Sequence, residues 1–168
     1  RLLAVLGASQ ALGDFLVAHP EHLTALAPDR AWDAPQEPGV GEALQRAVRD
    51  ALGQADPADA SPSHGGERPP HPGDAAVSQA TAALRRAYRD RLTAIVADDL
   101  TSADPIEHVP TVCRRMTELA DAALDAALLV ARAAVGPQAD DVALAVIAMG
   151  KTGARELNYI SDVDVVYV

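Results

Sequence analysis

The chain has 168 residues and a formal net charge of −10, so its surface repels nucleic-acid phosphates and anionic lipid, and neither is expected as a partner. Nearly half of it is hydrophobic but only 3% is aromatic, so its core must be built from Ala, Leu and Val, a composition that suits close-packed helices. The longest apolar stretch, residues 119–135, is broken by Asp121, Asp125 and Arg132, which excludes a spanning helix, and no cationic-then-apolar signal pattern opens the chain.

A single cysteine, Cys113, cannot form an internal disulfide and fits a reducing cytoplasm. The chain starts at Arg1 rather than Met and stops inside an apolar run at Val168, which reads as a piece of a longer protein.

Residues 2–26 carry Leu2, Val5, Leu6, Leu12, Phe15, Leu16, Leu23 and Leu26 at mostly three- and four-residue spacings, punctuated by Gly7 and Pro20. They predict two or three short packed helices. Residues 27–39, with Pro28, Pro35, Pro38 and Gly39, predict a connecting loop in which Trp32 plugs a local apolar patch. Leu44, Val48 and Leu52 form one stripe of a helix over 40–54. The composition then changes abruptly. The run 56–74 has no large apolar residue and cannot offset its ordering entropy, so residues 54–76 predict a disordered insertion holding His64 and His71.

A helix over 77–98 follows, with Leu84, Tyr88, Leu92, Ile95 and Val96 facing inward. The clearest helical pattern spans 111–135. Arg114, Glu118, Asp121, Asp125 and Arg132 make one solvated stripe, opposite Val112, Met116, Leu119, Ala123, Ala127, Val130 and Ala134. Gly136-Pro137 stops it. A strand at 142–149, a turn from Gly150, a short helical segment near 154–158 and a strand at 162–168 complete the chain.

The chemistry is concentrated at this end. Residues i and i+2 of a strand face the same way, about 6.6 Å apart, so Asp162 and Asp164 aim both carboxylates at one point. Hard oxygen ligands on a stiff strand suit Mg²⁺ bound to nucleotide phosphates. Gly150-Lys151-Thr152 is not a P-loop, because that motif needs a glycine five residues earlier, where Ala145 stands inside a strand. Lys151 is also the chain's only lysine among 14 basic residues, a compact point charge where Arg is otherwise used throughout.

Strand, Gly-Lys turn and Ser-Asp-x-Asp leading a second strand is the layout of the polymerase-β-like nucleotidyltransferases. The full string Gly150-Lys151-x-Gly153-x-Arg155-Glu156-Leu157-Asn158-Tyr159-x-Ser161-Asp162-x-Asp164 resembles the adenylyl-removing half of the bifunctional glutamine synthetase adenylyltransferases. Leu12-Gly13-Asp14 through His19-Pro20 and Leu84-Arg85-Arg86-Ala87-Tyr88-Arg89 carry the likeness into the helical region, leaving out 54–76. Ala148, Thr152 and Ala154 depart from the Gly, Leu and Gly more usual in that family.

The resemblance implies an α+β fold: a mostly α-helical N-terminal region (1–53 and 77–136) leading into the first two strands of a truncated polymerase-β-like nucleotidyltransferase domain that starts at 137. It implies phosphorolysis, in which inorganic phosphate attacks the AMP carried on glutamine synthetase and releases ADP. Asp162 and Asp164 would be the catalytic Mg²⁺ ligands, and Gly150, Lys151 and Ser161 would meet the phosphate, Ser161 by donating a hydrogen bond to it. Glutamine synthetase, ATP or ADP, inorganic phosphate and a PII-type signalling protein are the implied partners, in the cytoplasm. A third carboxylate is expected beyond the chain, so the 168 residues alone are expected to be inactive.

Two other readings stand beside this one. The same architecture can run forward, as ATP-dependent adenylylation, or the helices can form a non-catalytic docking module for glutamine synthetase or PII. Arg85, Arg86, Arg89 and Arg91 read better as a solvated helix face than as a phosphate or partner contact. Arg155 and Glu156 either orient the metal site or pair with each other. His19 and His22 have a spacing that suits a metal, but Pro20 interrupts them, and ordinary surface or core histidines are the better reading. Cys113 reads as a structural thiol.

Overall fold

Ser9 divides the first helical stretch in two. Its backbone is extended, and its Oγ accepts the Leu12 N–H at 3.3 Å, ending α1 (Leu2–Ala8) and capping α2 (Gln10–Ala18). A 3₁₀ segment, Pro20–Leu26, follows with proline in its first turn. Val5, Leu12, Phe15, Leu16 and Leu26 close over Ala97 and form a small core of their own. The structure, a computed structural model, describes residues 1–27, 39–54 and 73–168.

Three helices make the main body: α3 (Val40–Gln54), α4 (Asp74–Leu100) and α5 (Pro105–Val135). Leu44 and Val48 of α3, Ile95 of α4 and Met116 and Leu119 of α5 are buried together with Ala80, Ala120, Ala122 and Ala126. Alanines at the contacts let helix axes approach closely, which suits a core poor in aromatics. Buried Thr93 and Thr117 donate to the carbonyls of Arg89 and Cys113 at 2.7 and 3.0 Å, so they add no unpaired hydroxyl to this core.

Asp98 ties the two cores together. It accepts from Arg1 at 3.0 Å and from Arg115 at 2.6 Å, and His108 Nε2 lies 3.3 Å away without hydrogen-bond geometry. After a 3₁₀ turn, Pro137–Asp141, come β1 (Val146–Ala148), the one-turn helix α6 (Gly150–Gly153) and β2 (Val165–Tyr167). The strands are antiparallel, with Ile147 opposite Val166. Bonds from Ala145 to Val168 and from Met149 N–H to the Asp164 carbonyl extend the same register by one residue at each end. The protein is mostly helical with one two-stranded sheet among the described residues, an α+β arrangement.

Most elements lie where the sequence predicts, with informative differences. α4 begins at Asp74 and reaches Leu100, a few residues beyond the predicted span at each end. α5 begins at Pro105, six residues earlier than expected, and carries Pro110 inside it. Asp104 caps it, accepting the Glu107 N–H at 3.1 Å, and the helix continues past Pro110 because its later turns, with Val112, Met116 and Leu119, are packed in the main core. The stripe on α5 is only partly solvated: Arg132 donates to the carbonyls of Ala139 and Val142, holding the approach to β1, while Glu118 and Asp121 are half-covered. Trp32, His64 and His71, and the predicted insertion over 55–72, lie outside the described residues.

Candidate active site

Both glycines of the turn are required by close approaches. Gly150 has φ +54°, and a Cβ there would stand 2.9 Å from Asp164 Oδ2. A Cβ on Gly153 would stand 2.7 Å from the Ala148 carbonyl oxygen, so the turn can fold back on β1 only without side chains at these points. The helical turn sits at 150–153 rather than at the predicted 154–158. Arg155, at φ 60°, ends it in the left-handed conformation, while Glu156 N–H bonds the Lys151 carbonyl at 2.8 Å and Arg155 N–H that of Thr152 at 3.1 Å. These paired bonds are the usual helix-ending motif, here with Arg where glycine is more common.

The loop after this turn is fastened to the helical body at three places. Leu157 is buried among the residues of the main core. Tyr159 donates its hydroxyl to Asp99 Oδ2 of α4 at 2.8 Å, and burial first, then this bond, push the phenol well above its ordinary pKa. Arg155 pairs with Glu118 of α5 at 3.3 Å, not with Glu156. Nearby, burial first and the charges of Asp125 and Glu118 next raise the Asp121 carboxyl, against the opposing pull of Arg155. Asp99 and Glu118 are thus parts of the site that sequence reasoning missed. Their only signal was position on otherwise solvated helix faces.

Lys151 and Ser161 are brought together. Lys151 Nζ donates to Ser161 Oγ at 3.1 Å, Ser161 Oγ donates to Asn158 Oδ1 at 2.7 Å, and the same Oδ1 accepts the Ile160 N–H at 3.1 Å. Asp162 and Asp164 precede β2; only Asp164 joins the ladder, through its carbonyl, and both side chains are exposed. Neither carboxylate has a hydrogen bond or ion pair among the described residues. The Asp164 carboxylate lies against Gly150, the residue next to Lys151, so the glycine turn carries both contacts, one to Asp164 and one to Ser161.

A groove of about 950 Å³ opens beside this turn rather than over it, between α2, α4 and α5; Tyr159 and Val163 reach it, along with Leu12, Leu92, Met116 and Ala120. Arg85 and Arg89 also line it, and Arg89 lies over the Phe15 ring at 5.9 Å, so the basic cluster is not one continuous solvated face. Arg91 is buried. His22 donates through Nδ1 to Asp90 at 2.7 Å and packs on Phe15, as an ordinary structural histidine does. Among the described residues no group of three or more His, Cys, Asp or Glu is placed to hold a metal. No helix among them is long and apolar enough to cross a membrane.

Comparison with known proteins gives the family. The glutamate-ammonia ligase adenylyltransferase family matches residues 1–168. The chain belongs to that family. It is 42% identical over 171 residues to the bifunctional glutamine synthetase adenylyltransferase/adenylyl-removing enzyme of Mycolicibacterium smegmatis, covering all of this chain and 15% of that protein. The protein of the same name in Corynebacterium glutamicum is 43% identical over 184 residues, with 17% of its length covered, and that of Bifidobacterium longum is 39% identical with 14% covered. The chain thus spans roughly one seventh of the length of the curated relatives it matches. No solved structure matches it.

Proposed function

We propose that this segment opens a polymerase-β-like nucleotidyltransferase site that removes AMP from adenylylated glutamine synthetase by phosphorolysis. One observation carries the reading: an unpaired carboxylate, Asp164, rests against a glycine turn that also presents the chain's only lysine. In the reaction an oxygen of inorganic phosphate attacks the phosphorus of the AMP–tyrosine diester. The phosphorus–phenolate bond breaks, ADP leaves, and the tyrosine oxygen takes a proton.

Lys151 supplies positive charge for the phosphate oxygens, and the absence of a side chain at Gly150 lets them reach the backbone. Asp162 and Asp164 fit Mg²⁺: they are hard oxygen donors, exposed, and without a hydrogen bond or ion pair among the described residues. Mg²⁺ commonly takes one or two carboxylates and completes its shell with phosphate oxygens and water. When bound, it would neutralise the charge that develops on those oxygens. Among the described residues no group of three or more His, Cys, Asp or Glu is placed to hold a metal, and the 168-residue chain alone is expected to be inactive.

The relatives' shared name also contains the forward activity, and ATP-dependent adenylylation of glutamine synthetase is the second reading. The deciding experiment supplies the full-length protein with adenylylated glutamine synthetase, Mg²⁺ and phosphate and follows ADP. Release that requires phosphate and is lost in Asp162→Asn and Asp164→Asn supports removal at this site. Lost glutamine synthetase binding with retained turnover in those variants would instead support a docking module.

A further inference from the structure

Ser161 was expected to donate a hydrogen bond to phosphate, yet its proton is already committed. The Ile160 N–H can only donate, so the Asn158 atom it meets at 3.1 Å is the carbonyl oxygen, and the side-chain amide is fixed in orientation. That same oxygen lies 2.7 Å from Ser161 Oγ and cannot donate, so Ser161 must. A lysine ammonium has no acceptor, so at 3.1 Å it donates to the lone pair that Ser161 has left. The direction of every bond in the relay from Ile160 to Lys151 therefore follows from donor chemistry alone.

We infer that Asn158 and Ser161 are positioning residues that act on the phosphate only through Lys151, a deepening that rests on the phosphorolysis reading. The relay holds an exposed, four-carbon side chain in one place and leaves two N–H groups of its ammonium for a ligand. Ordering Lys151 in advance removes rotamer entropy that phosphate binding would otherwise have to overcome.

Two measurements test this. Lys151 is the only lysine, so ¹³C-lysine labelling of the 168-residue chain gives a single Cε–Hε spin system. Two resolved Hε resonances are expected in the parent chain. They should merge in Ser161→Ala and Asn158→Ala and stay resolved in Ser161→Thr and in Asn158→Asp, which keep the hydroxyl and the acceptor oxygen. Merged resonances in the parent, or a pattern untouched by Ser161→Ala, would overturn the inference.

The second measurement is a double-mutant cycle on phosphorolysis by the full-length protein. Ser161→Ala should raise KM for phosphate by about tenfold or more, the effect of a charge-assisted hydrogen bond, with KM for adenylylated glutamine synthetase unchanged. In a Lys151→Ala background it should do nothing further. Additive losses would show that Ser161 meets phosphate directly and would defeat the inference while leaving phosphorolysis intact. Phosphate-dependent ADP release that survives Asp162→Asn would instead defeat the assignment of phosphorolysis to this site, with the lysine resonances still deciding the relay.

Discussion

The Asp164 carboxylate occupies the space where Gly150 would carry a side chain, with Oδ2 2.9 Å from the ideal Cβ position. Gly150 also has φ +54°, a conformation that costs an L-residue about 1 kcal/mol or more. Gly150→Ala therefore acts twice, through backbone strain and through displacement of the carboxylate. A shift of about 1 Å at a catalytic group can cost roughly 100-fold in rate, so turnover should fall by about that factor. Urea unfolding should show only about 1 kcal/mol of lost stability. Equal losses of rate and folded fraction would mean that the carboxylate had not moved.

Leu157 carries the loop's attachment to the helical body, being 3% exposed within the main core. Leu157→Ala should cost roughly 2–5 kcal/mol in chemical denaturation. Tyr159→Phe removes one hydrogen bond, to Asp99, and should cost about 1 kcal/mol. Because the folded phenol's pKa lies above its ordinary value of 10.0, this contribution is present below pH 10 and is lost as pH rises beyond it. The gap between parent and Tyr159→Phe should therefore shrink in alkaline denaturation series.

Thr152 is 2% exposed, and its hydroxyl has no hydrogen-bond partner among the described residues. Its burial leaves the oxygen as an uncompensated polar group. Replacing it by an apolar group of the same shape, Thr152→Val, should stabilise the chain by about 1 kcal/mol. Thermal unfolding checks this. A destabilised variant would reveal a partner for that hydroxyl.

The glycine turn was easier to read than the docking behind it. Gly150 and Gly153 each answer a local demand of the turn, and local demands leave residue types behind. The α5 start was legible too, in Asp104-Pro105-x-Glu107, but the helical periodicity beyond Pro110 masked it. What the chain order did not reveal was the docking of the loop on α4 and α5. Asp99 and Glu118 lie 60 and 37 residues from Tyr159 and Arg155, and on a helix face an acid with a distant partner looks the same as a solvated one. Asp162 and Asp164 also show the limit of strand periodicity: it assumes both residues in the strand, and β2 begins at Val165.

Asp98 provides the clearest acid-dependent contribution. Burial alone would raise its pKa, but the Arg115 hydrogen bond and the charges of Arg115, His108 and Arg1 outweigh it and hold the carboxyl below its ordinary 3.8. A depressed folded pKa means that the stabilisation is complete above the unfolded value. It is then lost as pH falls from about 4 through the lower folded value. Asp98→Asn keeps the shape and removes the charge that Arg115, whose side chain is 15% exposed, meets at 2.6 Å. At pH 7 the variant should be less stable by about 1 kcal/mol, a modest figure because Asp98 itself is one-third exposed. The difference should shrink as pH falls below about 4 and vanish at the pH where the parent's carboxyl is protonated as well. A gap that stayed constant down to that pH would place the effect in packing rather than in charge.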